Sequence, residues 1–101
     1  MMIKFTPGEI LYTRLVGEMT SVSFYQVIRA TSNTCEIREL RKKIQTQNYD
    51  EQEVFPISDD FTSAPIRRKV QTTGCLMIEP GLYAWPWDGC GVWQTVIIYM
   101  P

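Results

Sequence analysis

A chain of 101 residues supports one domain, 1–101, because a core of that size leaves too little surface for a second one to bury. Hydrophobic residues at 45% and charged residues at 21% exclude the disordered and collagen-like classes, and no run approaches the roughly 20 apolar residues of a membrane-spanning helix. A formal net charge of -1 excludes the bulk basicity of a DNA-packaging protein while allowing a local basic face.

Nearly every apolar run is short, rich in β-branched or aromatic residues and ended by turn chemistry, the pattern of consecutive antiparallel strands. After Pro7-Gly8 the first predicted strand is Glu9 to Arg14, followed by an irregular link carrying Gly17. Ser23 to Ala30 forms the second, with Phe24, Gln26 and Ile28 on one face and Tyr25, Val27 and Arg29 on the other. Ser32-Asn33 suits a tight hairpin turn leading into Cys35 to Leu40. From Arg41 to Glu53 the apolar alternation is lost and the charge switches from basic to acidic, which predicts a strand end running into a long exposed excursion.

Pro56 and Pro65 punctuate the next stretch, where Asp59-Asp60 caps at most one helical turn. Arg67 to Thr72 reads as a charged edge strand. Gly74 turns the chain into Cys75 to Glu79, and Pro80-Gly81 fits a type II turn with glycine supplying the positive φ. Val92 to Met100 is the last strand. The fold expected is all-β, a small SH3-like barrel or rolled antiparallel sheet of roughly five or six strands with one long excursion, since rolling hides strand edges.

Chemistry is bounded as much by what is missing. With no histidine, Ser-His-Asp and Cys-His arrangements, imidazole bases and histidine metal ligands are excluded. Cys35, Cys75 and Cys90 are an odd number at wide spacing without a C-x-x-C pair, so neither a disulfide framework nor a zinc site is expected. Each reads as a small buried hydrophobe. Asp50, Glu51, Glu53, Asp59 and Asp60 form an acidic cluster that reads as a solvated face, and no phosphate-binding glycine loop occurs. Neither a metal nor a cofactor is expected. Met1 to Phe5 lacks a leader-like pattern, so a cytoplasmic protein without a membrane partner is the expectation.

Two features remain for binding. Arg38, Arg41, Lys42 and Lys43, with Arg67, Arg68 and Lys69, hold seven of the ten basic residues. Merged on one face, they would track a nucleic-acid backbone or dock an acidic partner. "YAWPWDG" then places Tyr83, Trp85 and Trp87 at every second position around Pro86, so in extended chain the three rings point to one side. Such a row stacks bases or grips an apolar anchor, unless the rings close the core. The expectation is mixed: part of the row closes the fold and the rest is offered at a rim, with Asp88-Gly89 turning the chain beside it.

Phe24, Tyr25 and Val27, then Thr34, Cys35, Ile37 and Arg38, then Trp87, Asp88 and Gly89, resemble the F-Y-x-V, T-V-x-I-R and W-D-G segments of a group of small uncharacterised proteins of phages, plasmids and other mobile elements. Cys35 stands where that group has valine, and Asn33 where it has lysine. The resemblance implies an accessory protein of a mobile element and carries no activity. With no catalytic constellation in the chain, a non-enzymatic binding module is expected, acting on a host protein, nucleotide or nucleic acid, for example as an inhibitor of host defence. The alternatives are a phage structural subunit, self-associating through the C-terminal strand as a homo-oligomer, and a small carboxylate-dependent enzyme using Asp88.

Overall fold

A computed structural model of the chain describes residues 5–96. It contains eight strands and, among the described residues, no helix. In chain order these are β1 (Ile10–Leu15), β2 (Ser21–Ala30), β3 (Thr34–Gln47), β4 (Glu51–Phe61), β5 (Ile66–Lys69), β6 (Leu76–Glu79), β7 (Leu82–Pro86) and β8 (Val92–Thr95). All pairings are antiparallel, in the order β6-β7-β1-β2-β3-β4-β8, with β5 also paired to β3. The expected all-β rolled antiparallel sheet is therefore the fold.

The strand count exceeds the expected five or six because the excursion is itself sheet and because Leu82–Pro86 of the aromatic segment pairs as β7. β3 runs on to Gln47 and turns through Asn48 into β4, whose residues Glu51 to Phe61 include Pro56. Asn48 closes the turn by accepting the amides of Asp50 and Glu51 at Oδ1, at 3.2 and 2.9 Å. Charge without apolar alternation hides the pairing there, since the residues this arm turns inward, Lys42 and Gln52, are themselves polar, while β4 also pairs with β8 on its other side. Asp59 and Asp60 cap no helix. Between the rungs Leu40↔Phe61 and Lys42↔Pro56, residues 57–60 of β4 lie opposite Arg41 alone. The surplus residues form a bulge, and Asp59 within it takes φ 64°, a conformation aspartate adopts more readily than most residues.

The long strands bend so that the sheet encloses apolar side chains on both faces. Leu11, Tyr25, Val27, Cys35, Ile37, Leu76, Ile78 and Ala84 form one core with Phe5. Val22, Phe24, Leu40 and Val54 form a second, packed by Ile10, Tyr12, Phe61, Trp87 and Val92. Alternation along β2 explains the division, because Tyr25 and Val27 point into the first core while Val22 and Phe24 point into the second. The second strand has no wet face for this reason. Around the first core the sheet rolls until Val70 bridges Leu76 and Arg68 Nε donates to the Ile78 carbonyl at 2.8 Å, without a continuous closing ladder. Around the second, Thr95 N donates to Thr20 O at 2.9 Å and Thr20 N to Thr95 Oγ1 at 2.8 Å. The outcome is a body of 44 × 26 × 26 Å with two cores back to back on β2 and β3.

Candidate functional site

The β6-β7 hairpin carries the aromatic row. Pro80-Gly81 makes its turn with Gly81 at φ 85°, and β7 lies between β6 and β1 with Leu76↔Ala84 and Tyr12↔Trp85 as opposed pairs. Ala84 is buried, so its neighbours Tyr83 and Trp85 take the opposite face. They are 41% and 45% exposed. Met77, directly opposite Tyr83, is 38% exposed on the same face. Pro86 is admitted to this interior position because it ends the strand, and the ladder resumes with Trp87 N donating to Ile10 O at 2.9 Å.

Trp87 has a different role. Its ring packs edge-on against Phe24 and Phe55, with centroids 6.1 and 6.3 Å away, and its indole Nε1 donates to the Cys90 carbonyl at 2.7 Å. Asp88 Oδ1 accepts the Cys90 amide at 2.9 Å, so the carboxylate organises the turn after the strand. The four residues singled out in this heptapeptide therefore separate: Trp87 and Asp88 serve the fold, and Tyr83 and Trp85 face outward. A groove of about 300 Å³ lies against the latter two, completed by Gln71, Thr72, Thr73 and Cys75. None of its lining side chains is charged at neutral pH.

The basic stretches do not form one uniform patch. Arg38 Nε donates to Ser63 O at 2.9 Å and its guanidinium lies 4.2 Å over the Phe61 ring. Arg41 pairs with Asp60 at 3.2 Å. Lys42 points into the second core, its Nζ donating to the Val22 carbonyl and, at 2.8 Å, to Gln94 Oε1. Burial lowers its pKa from 10.5, with Glu39 opposing. Arg68 is engaged with Ile78 O. Lys43, Arg67 and Lys69 are exposed. Four of the seven basic side chains are thus occupied in holding strands or the bulge, a role that charge clustering in the sequence does not reveal.

Around Lys42 lies a polar chain that no pattern in the sequence announces. Gln94 Nε2 donates to Gln52 Oε1 at 3.0 Å, Gln52 Nε2 donates to Gln47 Oε1 at 3.2 Å, and Val22 N donates to Gln94 Oε1 at 3.3 Å. These glutamines tie β8 to β4 and β2. The described part of the C-terminal strand ends the sheet order, laddered to β4 alone and touching the start of β2 through Thr20 and Val22, and the remainder of the predicted Val92 to Met100 strand lies outside the described residues.

Of the cysteines, Cys35 and Cys75 are buried but Cys90 is exposed, which corrects the reading of all three as core. Its turn between Asp88 and Gly91 keeps it outside either roll. Among the described residues no cluster of His, Cys, Asp or Glu has the arrangement to hold a metal ion, and no helix is long and apolar enough to cross a membrane. No family model matches the chain, and neither a curated protein nor a solved structure matches it significantly.

Proposed function

We propose that the chain is a non-enzymatic binding module of phage or mobile-element origin, and that it takes a protein partner on the outer face of the β6-β7 hairpin. The observation that carries this reading is the exposure of Tyr83 and Trp85, side by side on one face, over an uncharged groove walled by Gln71, Thr72 and Thr73. Exposed tyrosine and tryptophan supply large contact area at a small entropic cost and are the residues most often found at energetic centres of interfaces. Polar side chains along the groove would fix the register of what enters.

Protein rather than nucleic acid is favoured because the basic side chains are largely engaged. A nucleic-acid site needs cations and stacking rings on one surface, whereas here the aromatic groove is uncharged and the engaged arginines and Lys42 hold the sheet. Inhibition of a host defence protein is the biological role this reading suggests.

The experiment compares the chain with its Trp85→Ala and Tyr83→Ala variants in quantitative co-purification from host cells, each variant first shown to keep its melting temperature. A partner retained by the parent chain and lost by both variants supports the reading. Equal capture by parent and variants overturns it. Tryptophan quenching by oligonucleotides that weakens steeply between two salt concentrations would transfer the groove to nucleic acid.

A further inference from the structure

Away from the aromatic groove, β2, β3 and β5 bring a second set of side chains together. Arg29 lies directly opposite Glu36, and Glu36 lies directly opposite Arg67. Directly opposed residues on adjacent antiparallel strands share a face, so the row reads guanidinium, carboxylate, guanidinium across three strands. One rung further along β3 on the same face, Thr34 is opposed to Lys69. Arg29, Glu36 and Arg67, with Thr31 and Thr34, line a concavity of about 150 Å³. Its size suits one small ion and a few waters.

The charge in this row does not balance. Glu36 is the sole carboxylate lining the concavity, and its bond to Arg29 is loose, Nε to Oε2 at 3.7 Å, with the Arg29 side chain 76% exposed. Arg67 makes no ion pair within 4.0 Å among the described residues. Two guanidinium groups thus flank a single negative charge, with Lys69 one rung away on the same face of the sheet, in a chain whose net charge is -1. The backbones of Arg29 and Arg67 stand two strand spacings apart, about 9.5 Å. That separation lets two planar forks converge on one ion from opposite sides. The Thr31 and Thr34 hydroxyls also line it, 2.9 Å from each other, so that one O–H serves their mutual bond and no more than one is left to donate to a further oxygen.

We propose that this concavity is an oxyanion site selective for the phosphate dianion, free or as a monoester, with Arg29 and Arg67 as its fork ligands, Lys69 as a third cation and Glu36 as a built-in competitor. It is independent of the aromatic groove. Arg29 is the residue that charge clustering in the sequence missed, because it stands alone in β2 and joins Arg67 only through strand pairing. Glu36 weakens the ligand by occupying the same forks and repelling it. Its neutralisation therefore tightens binding, opposite to what loss of a structural ion pair would do to the protein.

The test is a titration with sodium phosphate at about pH 7.5, following the arginine Nε–H resonances by NMR, with sodium chloride at matched ionic strength as reference. Saturable shifts at Arg29 and Arg67 beyond the chloride response, with Arg41 unmoved because Asp60 holds it, are expected. Arg67→Ala abolishes the response at Arg29, and Glu36→Gln tightens it about 2- to 5-fold, the scale of an exposed charge interaction. Affinity for a monoester falls as the pH drops below about 6, where it loses its second charge, and affinity for inorganic phosphate, the weaker second acid, falls at a higher pH. Phenyl phosphate competing for the same resonances assigns the site to monoesters as well, and its failure to compete restricts the site to free phosphate. A response equal to that of chloride, or one that survives Arg67→Ala in a chain with an unchanged backbone spectrum, overturns the proposal. So does unchanged affinity in Glu36→Gln.

Discussion

Gln26 and Asp59 hold each other in both directions: Gln26 Nε2 donates to Asp59 Oδ1 at 2.8 Å, and Asp59 N donates to Gln26 Oε1 at 2.9 Å. The pair pins the bulge of β4 to the middle of β2, at the one non-glycine residue with positive φ among those described. Gln26→Ala removes both bonds and leaves the Asp59 amide to find water. A loss of about 1 to 3 kcal/mol is expected, measured by urea denaturation. Asp59→Asn, which keeps the side-chain acceptor and tolerates the same φ, loses less than about 1 kcal/mol on the same scale.

The split in the aromatic row makes a second prediction. Trp87→Ala removes the edge-on contacts with Phe24 and Phe55 and costs about 2 to 3 kcal/mol, below the 3 to 5 expected of a fully buried ring because Trp87 is only half-buried. Trp85→Ala changes stability by less than about 1 kcal/mol, as expected of an exposed side chain outside the cores. Denaturant midpoints of the two variants read the difference directly. Equal losses would contradict the division of the row.

A pH dependence follows from Lys42. Burial lowers its folded pKa from 10.5, so between that lowered value and 10.5 the unfolded chain holds more protons than the folded one. Stability from this group accordingly rises with pH across that window. Cys35 and Tyr25, whose pKa values burial raises from 9.0 and 10.0, act with the opposite sign as pH passes those values. The Lys42 contribution is isolated by subtracting the denaturation profile of Lys42→Met. The difference, wild type minus variant, increases with pH below 10.5. A flat difference would mean that the amine is as well hydrated in the folded chain as in the unfolded one.

Thiol accessibility supplies the fourth test. Cys90 is exposed while Cys35 and Cys75 are buried, so an aromatic disulfide reagent titrates one thiol of the native chain promptly and the other two only as the chain opens. Cys90→Ser removes the prompt phase and leaves the slow one. Three thiols reacting at one rate would contradict the burial of Cys35 and Cys75.

Much of this architecture was legible in the sequence where local chemistry is decisive. The hairpin around Ser32-Asn33, the glycine turn after Pro80 and the alternation of Tyr25 and Val27 against Phe24 were readable from residue type and period alone. The arm from Arg41 to Glu53 was not, because the side chains it turns inward, Lys42 and Gln52, are polar and leave no hydrophobic period to detect. The candidate site was half legible: Tyr83, Trp85 and Trp87 stood out, but identical ring chemistry cannot say which ring meets Phe24 and which meets solvent.

What the sequence by itself determined is the class of local structure and the absence of imidazole chemistry, since turn residues, β-branched runs and a missing histidine act within a few positions of the chain. Tertiary structure alone decided which charges are available. Arg38, Arg41, Lys42 and Arg68 look equivalent to Arg67 in a string of letters, yet Phe61, Asp60, Gln94 and the Ile78 carbonyl, 19 to 52 residues away for Asp60 and Gln94 and 10 for Ile78, engage those four. Arg29 and Arg67 meet across Glu36 only because two different strands pair with β3 on its two sides. Register between distant strands is set by the burial of whole faces, and that energy belongs to the folded sheet rather than to any one of its segments.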